Sequence, residues 1–273
     1  MIRTPPRKST AAAILGLLEL IYHSAVRDIR KGHRNALVGL LLNMLQSVIF
    51  IGAFYAMFQI LGMRRAAIRG DFLLYIMSGV FLFMTHTKAM GAVFSAEGPT
   101  SAMMNHAPLN SVVTISAAAL SALYKQVLSL LTILYVYHVV GNPIEIEDPV
   151  GAFGVLLIAW LSGVAIGMIF LSMKPWFPNF TNIAQTILAR VNMIASGKMF
   201  VVNNTPESIR NMFDWNPLFH CIDQERGYVF LHYTPHYTSV AYPVYVSLGL
   251  VCIGMMAEFY TRKQASVSWG AGH

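Results

Sequence analysis

Charge is scarce in this chain. Asp, Glu, Lys and Arg make up 11% of its 273 residues, against about 25% in a soluble domain, while 56% are hydrophobic and mean hydropathy is +0.55. So little charge cannot coat a water-soluble body of this size, and it leaves little chain for a soluble catalytic domain. Cysteine is nearly absent too. Cys221 and Cys252 form no CxxC pair, so they suggest neither a metal knot nor a disulfide framework and read as apolar fillers. A nucleotide motif is also missing. Ser196-Gly197-Lys198 looks like the end of a phosphate-binding loop, but Asn192 takes the place of its first glycine and Met199 that of its Ser or Thr. If ATP drives this protein, a separate chain must bind it. No HExxH occurs among the nine histidines. His232 and His236 are spaced i,i+4 with His220 upstream, but Pro235 between them spoils the helical geometry two ligands would need. A histidine-dependent intramembrane metalloenzyme is therefore the lesser reading, and the three histidines are expected as interfacial side chains.

What is abundant is long apolar sequence. About 20 helical residues cross a hydrocarbon core of roughly 30 Å, and six stretches have that character: about Leu37 to Leu61, Phe72 to Phe94, Val112 to Val140, Val150 to Met173, Phe180 to Val202, and Val240 to Tyr260. Lipid leaves helices or a closed barrel as the only ways to satisfy the backbone, and these runs are too long for barrel strands. The expected fold is an all-α integral membrane protein with six transmembrane helices. Before the first, residues 11 to 31 place Ile14, Leu17, Leu18, Ile21 and Ile29 at helical spacing with Arg27, Arg30 and Lys31 at the end. That is the pattern of an amphipathic helix lying in the headgroup region. Glu19 interrupts the apolar run and no small-x-small cleavage site follows, so the N-terminus is read as retained.

With both termini inside, the cytoplasmic segments hold ten Lys and Arg against six outside, so this orientation is expected; Arg64, Arg65 and Arg69 on the outer side are the objection to it. The expected parts are a cytoplasmic N-terminus with the interfacial helix (1–36), the six-helix unit (37–260) and a cytoplasmic tail (261–273). Within the unit, 95–110 is an inner segment and 203–235 an outer one.

Charges inside spans are expensive and call for a partner or a role. Lys125 falls near the middle of the third span and Arg190 near that of the fifth; each faces either an interior path with an anionic solute or lipid phosphate, or an interhelical hydrogen bond to a neighbouring carbonyl or to Asn43, Gln46 or Gln185. Lys88, nearer the inner end of its span, is expected to snorkel to the interface. Gly163 and Gly167 form a small-xxx-small pair that lets helices approach closely. Trp176, Phe177 and Phe180 cluster where the fifth span begins on the inner side, as an aromatic belt or as a rim on which sugars stack.

SAEGPTSAMMNHAPLN (Ser95 to Asn110) contains no Lys or Arg, unusual for an inner loop, and reads either as a plain connector or as a surface that docks a protein rather than anionic lipid. FDWNPLFHCIDQERGYVF (Phe213 to Phe230) is too polar to span and too apolar for an ordinary loop. It is expected to form a pair of short helices dipping into the outer leaflet and returning. Pro217 would break them apart, Asn216 would cap the second, and Asp223, Glu225 and Arg226 would face water or another protomer.

Two stretches carry a resemblance. SAVRDIRKGHRNALVGLLLNMLQSVIF (Ser24 to Phe50), an interfacial helix with an Arg-Asp pair leading into the first span, and WNPLFHCIDQERGYVF (Trp215 to Phe230), with its Asn-Pro-Leu and closing Arg226, resemble the membrane subunit of ABC-2 type exporters. Length and layout are most similar to the permeases that export capsular polysaccharide. The usual basic residues after the second span and an early tryptophan in the first are missing here. The resemblance implies a non-enzymatic transport subunit of the bacterial inner membrane. It would be a homodimer with two ATPase subunits that carry ATP and magnesium, no cofactor residing in this chain. Its cargo would be a lipid-linked polysaccharide handed to periplasmic or outer-membrane export proteins, and it would touch membrane lipids but no nucleic acid. Other branches move O-antigen, teichoic acid or a small lipid or drug. Glu97, Asn105, His106 and Pro108 would contact the ATPase. Arg27, Arg30, Lys31, Lys125, Arg190 and Trp176 would meet the substrate or lipid headgroups. Trp215, Asn216, Pro217, Asp223 and Arg226 would form the outer re-entrant segment.

Overall fold

A computed structural model describes residues 10–31, 36–62, 68–97, 111–141 and 143–270. Among them the α-helices are α1 (Thr10–Lys31), α2 (Ala36–Ile60), α3 (Phe72–Phe94), α4 (Ser111–Val140), α5 (Pro149–Met173), α6 (Pro178–Ala195), α7 (Glu207–Phe213), α8 (Pro217–Val229) and α9 (Ala241–Gly270). Five segments are long and apolar enough to cross a membrane: Leu37–Ile60, Phe72–Phe94, Ser111–Val140, Pro149–Met173 and Ala241–Gln264. The regular structure among the described residues is helical, and the chain is a multi-pass membrane protein.

The sequence itself sets where helices begin. Asp71 accepts from the backbone N–H of Leu73 and Leu74 at 2.8 and 2.9 Å, and Asp148 accepts from Val150 and Gly151 with Pro149 in the first turn. Asn216 likewise accepts from Leu218 at 3.0 Å ahead of Pro217. Each short side chain satisfies donors that a helix start leaves open. The expected cap and break at Asn216-Pro217 are therefore present, separating α7 from α8.

α3 is the central column, with 78% of its apolar window buried, against 17% in α2 and 22% in α9. It lies on α5, and the glycines explain how closely. A Cβ on Gly163 would come 2.2 Å from the His86 carbonyl oxygen, and one on Gly167 would come 2.7 Å from that of Met90. The small-xxx-small pair thus packs on α3, backbone against backbone. On the other side of α5, a Cβ at Gly254 of α9 would sit 2.9 Å from the Met168 Cβ.

The connections gather at two ends. At one end Tyr137 at the close of α4 donates to Asp71 at 2.7 Å, and the Asp148 amide bonds the Tyr228 carbonyl at 2.8 Å. There Ile68 and Arg69 line a cavity with Asn203, His232 and Tyr233. At the other end Thr114 donates to the Glu97 carbonyl, Lys174 to that of Phe94, and Trp176 to Thr261. α6 runs from the second end to the first. It stops at Ala195, before the expected Val202, because the chain turns at Gly197 with a φ of +73° that favours glycine. At 18 residues it measures about 27 Å, but it is amphipathic rather than apolar all round.

Candidate functional site

Where α1 lies along α4, a cavity of about 190 Å³ opens between α1, the end of α3 and α4. Arg27, Asp28, Glu97, Thr114, Ser121 and Lys125 line it. Arg27 and Asp28 approach to 3.9 Å. The cavity therefore gathers Arg27, Lys125 and Glu97, three residues singled out from the sequence for two separate roles. Two cations against two carboxylates, at the edge of an apolar bundle, can hold an anion such as a phosphate if the carboxylates turn away. Arg30 is exposed on the last turn of α1. Asn105, His106 and Pro108, and the Lys31 side chain, lie outside the described residues.

Just beyond this cavity a polar chain crosses three helices. Lys88 of α3 donates to the Asn43 side-chain oxygen in α2, and the Asn43 amide donates to Ser129 at 2.6 Å and to the Lys125 carbonyl at 3.2 Å in α4. Instead of extending along its own helix as its place near the helix end suggested, the half-buried Lys88 turns to Asn43, which supplies an acceptor for its ammonium across the α2–α3 contact.

α6 shows two faces. Thr181, Asn192 and Ala195 are buried, whereas Asn182, Thr186 and Arg190, spaced four residues apart, share an exposed stripe beside exposed Ile183, Ile187 and Ile194. No side-chain amide accepts Arg190 within this chain's hydrogen bonds among the described residues, and the guanidinium stands on the polar stripe. Trp176, at the start of the same segment, is half-exposed; its indole N–H donates to Thr261 at 3.0 Å and its ring stacks on Tyr260.

At the opposite end α7 and α8 enclose a polar core that corrects the expectation for this segment. Asp223 and Arg226 are 0% exposed and Glu225 is 7% exposed, so none faces water. The Arg226 guanidinium donates to the carbonyls of Gly197, Lys198 and Phe200 at 2.6–3.1 Å and lies over the Tyr75 ring. It thereby holds the turn that ends α6. Asp223 accepts from Tyr233 and from Thr238 at 2.8 Å, which pins the chain leading into α9. His220, expected at the interface, is also buried and bonds the Asp214 carbonyl at 2.8 Å, while His232 and His236 are exposed. Trp215 stays largely exposed, its indole N–H bonded to the Met212 carbonyl. Among the described residues no three His, Cys, Asp or Glu side chains converge as a metal site would require.

Sequence reasoning missed a buried relay. Ser162 spends its hydroxyl proton on the Ala159 carbonyl, so His86 Nδ1–H donates to Ser162 Oγ at 2.8 Å. His86 Nε2 then accepts from Asn192 at 3.2 Å, and Asn192 accepts from Asn216 at 3.0 Å. The donors and acceptors run in one direction, from the N-cap of α8 through α6 and α3 to α5. A lone histidine in an apolar helix gave the only signal of it. Lys198 was missed as well. It is buried, donates to the Met193 carbonyl at 2.8 Å, and sits over the rings of Phe83 and Phe54 at 3.5 and 5.0 Å, a cage that offsets its desolvation.

No known family profile matches the chain. Two relatives, both described as polysialic acid transport protein KpsM from Escherichia coli, are 24% identical to it over 206 residues, covering 72% of this chain and 76% of each relative. Their name, transport of a polysaccharide, agrees with the resemblance read from Ser24 to Phe50 and Trp215 to Phe230.

Proposed function

We propose that this chain is the membrane-spanning permease subunit of an ATP-driven exporter that moves a lipid-linked polysaccharide of the capsular type across the bacterial inner membrane. The observation that carries this reading is the similarity to polysialic acid transport proteins over most of both chains, joined to five helices of membrane-spanning length. α6 serves as a sixth crossing. Its polar stripe with Arg190 cannot rest against lipid, so in a homodimer it lines the path, while its buried face stays on α3 and α5. Both termini lie on the cytoplasmic side, and α7 with α8 forms a re-entrant lid on the outer side.

The cavity of Arg27 and Lys125 then receives the phosphate of the lipid carrier, since cations at the membrane surface attract anionic headgroups. Glu97 and the segment up to Asn110 form the contact with a separate ATPase subunit, which brings ATP and magnesium. Two ATPases closing on this segment and on α1 drive the permease halves apart. Periplasmic or outer-membrane export proteins take over the glycan. The chain breaks and forms no covalent bond. Co-expression with the candidate ATPase tests this reading. Affinity purification of the permease should retain the ATPase, and a Ser95–Asn110 deletion should lose it; retention by the deletion variant would remove the segment from the contact.

A further inference from the structure

α8 places a carboxylate and a guanidinium at adjacent positions, yet they do not pair. Arg226 turns toward the α6–α7 connection and spends its donors on the carbonyls of Gly197, Lys198 and Phe200. Glu225 turns instead into a separate cavity of about 150 Å³ between α3, α4, α5 and α8, whose walls include Leu74, Met77, Leu134, Ala152 and Leu156. The only other polar side chain there is Ser78, whose proton goes to the Tyr75 carbonyl. Glu225 is 93% buried, at 7% exposure, and its Oε2 has no hydrogen-bond partner. Burial without a partner raises its carboxyl pKa well above the usual carboxylate range.

An unpaired buried acid in an apolar hole costs stability unless something completes it. Three features define what completes it. The volume is that of cavities which take up a single benzene-sized molecule. The walls are apolar, with one acid at the end. Leu131 and Phe153 on the rim are 57% and 48% exposed, on two helices of membrane-spanning length, so the mouth opens at an apolar surface.

We infer that this cavity is a binding site for a small lipophilic amine, its ring or short chain seated among the leucines and its nitrogen on Glu225. The amine supplies the cation that Arg226 does not. Meeting the acid form as a free base it takes the Glu225 proton; meeting the carboxylate form as an ammonium ion it pairs with it directly. Both routes end in the same ammonium–carboxylate pair. The site lies apart from the cavity of Arg27 and Lys125, and the inference stands whether or not the chain exports a glycan.

Thermal unfolding of the full-length detergent-purified protein, titrated with benzylamine and with toluene, tests it. Benzylamine should raise the unfolding temperature saturably and at concentrations at least tenfold below those of toluene. Glu225→Gln, which keeps size and hydrogen bonding, should abolish that tenfold preference while leaving the toluene response. Ala152→Phe, which fills the hole, should abolish both. An unchanged benzylamine response in Glu225→Gln, or no saturable response in the native protein, would overturn the site. Should Ala152→Phe fail to fold, the Glu225→Gln comparison decides alone.

Discussion

Arg226 and Glu225, neighbours on one helix, show how differently two buried charges can be accommodated. Arg226 gives charge-assisted hydrogen bonds to three carbonyls; removing it strands those acceptors in a buried site. Arg226→Met should therefore destabilise the protein by on the order of 3 kcal/mol, and Arg226→Lys should recover only part, because an ammonium lacks the fork that spans the turn. Thermal unfolding in detergent reads both. Glu225 has the opposite signature. Its folded pKa is raised by burial, so below the unfolded value of about 4.3 both states hold the proton. As pH rises above that value the unfolded chain releases its proton while the folded one keeps it, and stability falls until the folded group also ionises. Glu225→Gln should match the native protein near pH 4 and exceed it near pH 8; a parallel offset at both pH values would contradict the assigned burial. Little of this was legible in the sequence. The charges in DQER were plain, but the acceptors of Arg226 lie 26 to 29 positions upstream and one partner of Asp223 lies 15 downstream, so only the folded chain shows that they turn inward.

The contacts between helices were more legible where one residue type dictates them. Gly163 and Gly167 announced a close approach, and α3 is what approaches. Gly163→Leu would drive a side chain into the His86 carbonyl; such overpacking costs about 1–3 kcal/mol and also parts His86 from Ser162. It should lower the yield of folded protein in a fluorescence-detected sizing assay, whereas Gly154→Ala, which meets open space, should leave it unchanged. α6 was less legible. Asn179, Asn182, Gln185, Thr186, Arg190 and Asn192 dilute its apolar residues, and the run counted to Val202 hid the turn at Gly197. Single cysteines in a Cys252→Ser background settle its course. Cysteines replacing the exposed Asn204 and Phe177 should react from opposite sides, Asn204→Cys in intact cells and Phe177→Cys only after permeabilisation. Reaction from the same side would remove α6 from the set of crossings. Arg69 and Asn204 line one cavity, so the two should be labelled from the same side.

Across the described residues, α2, α6 and α9 expose broad apolar surface. Lipid can cover α2 and α9, but the Arg190 stripe needs water or a polar cargo, which the proposed homodimer would supply by placing a second copy across from it. Composition announced a membrane protein from the start, because so few charges leave no other class open. Which solute crosses was legible only through the two short resembling stretches, since aromatic residues serve membrane interfaces and sugars alike. Arg190→Glu should cut export at least tenfold by repelling an anionic glycan, with membrane insertion unchanged on a blot. Transport of a lipid-linked polysaccharide by this chain and an ATPase is measured directly in proteoliposomes containing both subunits and an acidic lipid-linked glycan, probed with an impermeant glycan hydrolase. ATP should shift glycan across the bilayer in parallel with hydrolysis, and a hydrolysis-defective ATPase should stop it. ATP turnover with the glycan left on its starting side would rule out this transport.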